Sequence, residues 1–100
     1  MKGAEEIMGQ FITRVELHRA HSDKYEQLHR AMESRNFGRT IQAASGAWHL
    51  PEAEYQSRGN LTASDVRGIA AQTIKSIGAT GIVFVSEISD WAAEGLRPVG

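Results

Sequence analysis

The sequence predicts an α+β domain, and three observations carry that expectation. Residues 11–18 alternate, with Phe11, Thr13, Val15 and Leu17 on one face and Ile12, Arg14, Glu16 and His18 on the other, the period of a half-buried strand. Two later segments repeat apolar residues at helical spacing: Tyr25, Leu28, Ala31 and Met32, then Val66, Ile69, Ala70, Thr73, Ile74 and Ile77. Between Gly81 and Ser86, the run Ile82-Val83-Phe84-Val85 is apolar on both faces, as in a central or doubly covered strand.

The elements follow in order. Residues 1–10 show no usable period and are read as a flexible leading segment, with Met8 a candidate natural start. After the first strand, Ser22 stands where an N-cap is expected and Asp23 complements the helix dipole, so 23–35 is read as an amphipathic helix that Asn36 ends in the left-handed conformation. Residues 37–43 form the expected second strand, and Ala44-Ser45-Gly46 a turn. The third strand runs from Trp48 through Ser57, with Pro51 making it an edge or breaking it with a bulge. Gly59-Asn60 stops it. Thr62 or Ser64 caps the second helix; Gly68, which costs roughly 1 kcal/mol of helix propensity against Ala, is expected to sit close against the sheet. Gly78 closes that helix before the last strand. The tail, 91–100, is expected to pack through Trp91 and fray beyond it.

Strand, helix, strand, strand, helix, strand over 11–90 is the ferredoxin-like βαββαβ sandwich, one antiparallel sheet with two helices on one face. One hundred residues hold one modest core and not two.

Composition narrows the chemistry. With no cysteine there is no disulfide, thiolate zinc site or Cys nucleophile. No apolar run approaches the roughly 18 residues of a membrane span, and no basic-then-apolar leader is present, so the expected address is the cytoplasm. The formal charge of −1 excludes a nucleic-acid binder held mainly by bulk positive charge. That charge is uneven. Phe11 to Gln42 carries six bases (Arg14, Arg19, Lys24, Arg30, Arg35, Arg39) against four acids (Glu16, Asp23, Glu26, Glu33), with His18, His21 and His29 among them. From Ala43 onward there are four bases and six acids.

The sheet face away from the helices receives Ile12, Arg14, Glu16 and His18, together with either Ile82, Phe84 and Ile88 or Val83 and Val85. A face with that much apolar surface is expected to be covered, by a second copy in a homodimer or by the Trp91 segment folding back. The histidines lack any fixed metal-ligand spacing, so no metal or cofactor is expected, and partly exposed structural roles compete with functional ones for each. Metal-free RNA cleavage needs a base, an acid and a cation for the phosphorane, roles that His, Arg, Lys and Tyr fill. His18 with Arg14, His29 with Arg30, and His49, Tyr55 and Arg58 on the third strand supply such groups; solvated or core roles compete for every one. Glu16 and Glu87 could approach one another on neighbouring strands, where on a solvated face they would only repel as like charges. Gly78 to Gly81 joins a helix to a strand, the wrong order for a phosphate-binding loop.

Several short blocks in order, TRVELH (Thr13 to His18), YEQLHRAMESRNFGRTI (Tyr25 to Ile41), LPEAEY (Leu50 to Tyr55) and NLTASDV (Asn60 to Val66), resemble the GhoS family over roughly residues 11–87. This is a family of small bacterial and phage proteins typified by the endoribonuclease antitoxin of a type V toxin–antitoxin system. Asn36-Phe37 and Leu61 to Val66 are the clearest matches. The resemblance implies a ferredoxin-like fold, a dimer-prone sheet, and RNA as the partner, with messenger cleavage the activity of the type member. It places the first-helix basic residue of that member at His29, with Arg30 next in line. The CRISPR adaptation nucleases of this fold carry an Asp after the first strand; here Leu17-His18-Arg19 stands, so their metal-dependent chemistry is not expected. The leading expectation is a GhoS-like protein that binds RNA and cuts it as a metal-independent endoribonuclease. His18 or His29 would be the catalytic base, and Arg14, Arg30, Arg39 and Arg58 the RNA contacts. The alternative is a non-catalytic module, phage- or prophage-encoded, that neutralises a partner protein through its sheet face or edge.

Overall fold

A computed structural model describes residues 8–100, so of the expected flexible segment 1–10 only residues 1–7 lie outside the described residues. Gly9 and Gln10, paired with Gly59 and Arg58, are part of the first strand, which ends at Leu17. The chain forms β1 (Gly9–Leu17), α1 (Ser22–Glu33), β2 (Thr40–Ala43), β3 (Gly46–His49), β4 (Glu54–Gly59), α2 (Ala63–Ser76) and β5 (Gly81–Glu87). These make a small α+β fold with two helices and an antiparallel sheet in two parts. Three strands run in the order β4-β1-β5, and β2 and β3 form a separate two-stranded ribbon.

The first strand keeps its alternation. Phe11, Thr13, Val15 and Leu17 are buried beneath the helices, and the three apolar ones join Leu28, Met32, Phe37, Tyr55, Val66, Ala70 and Ile74 in one core. Registers Thr13↔Tyr55 and Thr13↔Val85 put Tyr55 and Val85 on that same inner face, because residues opposite one another in a ladder share a side. This decides between the two alternatives for β5. Val83 and Val85 pack against the core, whereas Ile82 and Phe84, opposite Glu16 and Arg14, point outward and are exposed. Glycine at 81 is required by close approach, since a Cβ there would run into the Glu16 carbonyl.

Three expected boundaries move. The first helix begins a residue earlier and ends at Glu33, and its N-cap is His21 rather than Ser22, without a side-chain cap bond. Asn36, at φ 69, turns the chain, and Phe37 N–H bonds back to Met32 O at 3.1 Å, so Phe37 enters the core instead of opening a strand. Gly38 then exchanges two 2.8 Å backbone bonds with Gln56 before the chain leaves the main sheet for β2. The third expected strand is two strands: Pro51 has no N–H to give a ladder, and a turn closed by Glu54 N–H on Pro51 O, 3.1 Å, with Ala53 at φ 62, separates β3 from β4.

The second helix is capped by Thr62, through a reciprocal box: Thr62 N–H bonds Asp65 Oδ2 at 2.9 Å, and Asp65 N–H bonds Thr62 Oγ1 at 3.1 Å. The Thr62 backbone and hydroxyl hold the Asp65 carboxyl below its usual range. Gly68 does not lie against the sheet; it is exposed, with open space where a Cβ would sit, and nothing in the structure explains it. The tail does not fray after Trp91. His49 N–H bonds Arg97 O at 2.8 Å, Val99 N–H bonds Ala47 O at 3.0 Å, and Trp48 bridges Pro98, so residues 97–99 lie along the free edge of β3.

Candidate functional site

The site is built where the small ribbon meets the end of the first helix. Antiparallel register pairs Thr40 with His49, Leu50 N–H bonds Arg39 O at 2.9 Å, and Arg97 accepts from His49 N–H. Thr40, His49 and Arg97 therefore stand in one row across three adjacent backbones. The last turn of α1 adds Glu33, and the turn after β3 adds Pro51 and Glu52. Together with Glu94, Gly95 and Leu96 of the tail they line a groove of about 870 Å³.

Behind one wall runs a chain of side-chain contacts. Tyr55 Oη lies 2.7 Å from His29 Nδ1, His29 Nε2 lies 2.8 Å from Glu52 Oε2, and Glu52 Oε1 lies 3.7 Å from Arg39 Nη2. The Tyr55 ring is fully buried, tilted against His29 and edge-on to Phe37. Burial is the main force pushing its phenol above the ordinary range; Arg39 opposes this and the Glu52 and Glu33 charges add to it. A phenol held protonated donates its O–H to Nδ1. The imidazole proton then sits on Nε2 and is donated to Glu52. The histidine side chain is 4% exposed and that of Glu52 67%, so what His29 presents to the groove it presents through Glu52.

The expected site residues fall in several places. His29 and Arg39 come together, joined by Glu52. Arg30, next to His29, is exposed on α1. His18 lies at the far end of β1, its backbone N–H bonded to Thr80 O at 2.9 Å and its Nδ1 3.4 Å from Thr80 Oγ1. It opens on a separate pocket with Arg19, His21, Asp23 and Lys24. Arg14 and Arg58 occupy the outer sheet face, Arg14 3.3 Å from Glu54 and Arg58 opposite Gln10. Glu16 lies opposite Ile82 and Glu87 opposite Phe11, five ladder positions apart and on opposite faces, so the acid pair does not form. Among the described residues no group of three or more His, Asp or Glu is placed to hold a metal ion, and no helix is long and apolar enough to cross a membrane.

Two residues of the groove were not singled out by the sequence, Glu52 and Arg97. The signal for Glu52 was Pro51, whose break in the strand makes a turn and turns its neighbour outward. For Arg97 there was no local signal, because only the pairing of the tail with β3 brings it in.

The outer sheet face is the second surface. The tail reaches one end of it, where Trp91, Ala92 and Leu96 meet Ile12, Ile41 and Leu50 around a small apolar cavity. At the other end Ile82 and Phe84 remain 53% and 62% exposed. No family model, no curated protein and no solved structure matches the chain.

Proposed function

We propose that this chain is a GhoS-like protein that binds RNA in the groove between the β2–β3 ribbon, the end of α1 and the C-terminal tail, and cleaves it there. The observation that carries this reading is the joining of His29 to Arg39 through Glu52 at the wall of a groove that also holds His49 and Arg97. A carboxylate, an imidazole and two guanidinium groups are the materials of metal-free phosphodiester cleavage. The ferredoxin-like arrangement is part of the proposal. It is supported by the Gly38–Gln56 bridge, which sets the lead-in to β2 beside β4 and extends the succession β5-β1-β4 by one more antiparallel neighbour. The spread of Arg14, Arg58 and His18 over other surfaces assigns phosphate contact to Arg39 and Arg97.

Binding through so few cations has a shallow salt dependence. In a fluorescence titration with a short single-stranded RNA, Arg39→Ala weakens binding and lowers the slope of log K against log salt by about 1, and Arg97→Ala does the same. Equal binding by both variants and the parent protein would remove the groove from the reading.

The second reading is a non-catalytic module that engages a second copy or a partner protein through the outer sheet face. What favours it is the exposure of Ile82 and Phe84 on a face whose charges balance, Arg14 and Arg58 against Glu16 and Glu54. Concentration-dependent mass by light scattering, abolished by Phe84→Asp, is its expected signature for a second copy.

A further inference from the structure

We infer that Glu52 is the catalytic base of the RNA-cleaving reaction and that His29 is its positioning residue, not the base itself. The inference rests on the RNA reading above and assigns chemistry to particular atoms within it.

Geometry separates the two residues. Both ring nitrogens of His29 are engaged, Nδ1 with Tyr55 and Nε2 with Glu52. An imidazole that is almost wholly buried, its side chain 4% exposed, with its groove-side nitrogen already donating, has no lone pair to offer a ribose hydroxyl. Glu52 has what His29 lacks. Its Oε2 is fixed at 2.8 Å by the histidine and its Oε1 is left with only a 3.7 Å approach from Arg39, beyond hydrogen-bond length. One carboxylate oxygen is anchored and the other is free to accept a proton, on a side chain that is mostly exposed. The anchor is itself anchored: Tyr55 is immobile in the core, so the Tyr55–His29 pair fixes the direction from which Glu52 is held. Orientation of this kind is what a base needs to lie within reach of a reacting hydroxyl.

The step balances without a co-reactant. Glu52 Oε1 takes the proton of a ribose 2′-hydroxyl, and the freed electron pair forms a bond from O2′ to the adjacent phosphorus. The bond from phosphorus to the 5′-oxygen breaks, and that oxygen leaves with a proton supplied by His49 in its imidazolium form. The products are a 2′,3′-cyclic phosphate and a 5′-hydroxyl. Arg39 and Arg97 stand in the same groove to meet the charge that develops on the phosphorane oxygens.

The test is single-turnover cleavage of a mixed RNA pool by the full chain, with and without EDTA, comparing Glu52→Gln, His29→Gln, His29→Leu and Gln72→Ala, the last an exposed position on α2. Glu52→Gln keeps the size and the acceptor for His29 but carries no base, and its rate falls by about 100-fold or more. Gln72→Ala cleaves as the parent does. His29→Leu removes the donor to Glu52 and lowers the rate by up to about 100-fold, whereas His29→Gln, which retains an N–H donor, recovers most of it. Thermal melts separate this from loss of fold: a purely structural histidine would make the rates of both variants follow their melting temperatures. A parent protein that cleaves together with a Glu52→Gln variant that cleaves equally overturns this assignment and leaves the RNA reading standing. A folded parent protein that cleaves nothing under either condition overturns the reading itself, and the assignment with it.

Discussion

The groove and the outer sheet face adjoin one another, and they differ in what each leaves open. In the groove the polar groups are arranged in series, from Tyr55 in the core through His29 to Glu52 at the surface, and one carboxylate oxygen is left without a hydrogen bond, its nearest cation Arg39 at 3.7 Å. On the sheet face the polar groups sit as separate neighbours, such as the Arg14–Glu54 pair at 3.3 Å, and what remains open is apolar area on Ile82 and Phe84. The first arrangement holds a direction, because buried hydrogen bonds in series fix the end of the chain. The second holds area without direction, which suits association more than chemistry. An ion pair as exposed as Arg14–Glu54 adds little stability.

The largest expected difference is the cleavage rate, reduced about 100-fold by Glu52→Gln and untouched by Gln72→Ala. Next is Tyr55→Phe, which removes one buried hydroxyl and strands His29 Nδ1; urea unfolding should show a loss of about 1–3 kcal/mol. If the loss is negligible, the chain from core to groove does not hold Glu52. The same phenol predicts an alkaline effect. Its folded pKa is raised, so the native state keeps a proton that the unfolded chain releases near the usual tyrosine value of about 10. Stability from this source is complete below that pH and falls as pH rises above it. Chemical denaturation across that range should show the decline in the parent protein and a shallower one in Tyr55→Phe. The smallest effect is Phe84→Ala on stability, within about 0.5 kcal/mol for an exposed side chain; a larger loss would mean that the face is already covered in the free protein.

Much of the fold was legible because its signals are local. The alternation of Phe11 to Leu17 named a strand and its buried side, and the stripe from Val66 to Ile74 named the second helix, with Thr62 or Ser64 as its cap; the box with Asp65 decides for Thr62. The breaks were harder. Pro51 announced an interruption but not that its two sides would join different sheets, since that depends on where Gly38 leaves Gln56. His29 stood beside Leu28 on the helix and was expected to be partly exposed; its burial comes from Tyr55 and the turn at Glu52, distant in sequence by 26 and 23 positions. Arg97 was illegible for the same reason. Charge partition along the chain pointed to the basic segment before Gln42, and Arg39 in that segment does reach the groove, but Arg14 from the same segment lies on the outer sheet face beside Glu54. Linear charge locates candidates; only tertiary pairing decides which of them meet.

The proposed binding places RNA at the groove and not on the sheet face. It is tested most directly by amide NMR of the ¹⁵N-labelled protein, titrated with a short 2′-O-methyl RNA that cannot be cut through its 2′-oxygen. With RNA in the groove, the amides that shift are those of Gly38 to Thr40, His49, Leu50, Glu52 and Glu94 to Arg97, with the β5 amides of Ile82 to Ser86 unmoved. Shifts confined to β5 and the outward residues of β1, with the groove silent, would contradict it.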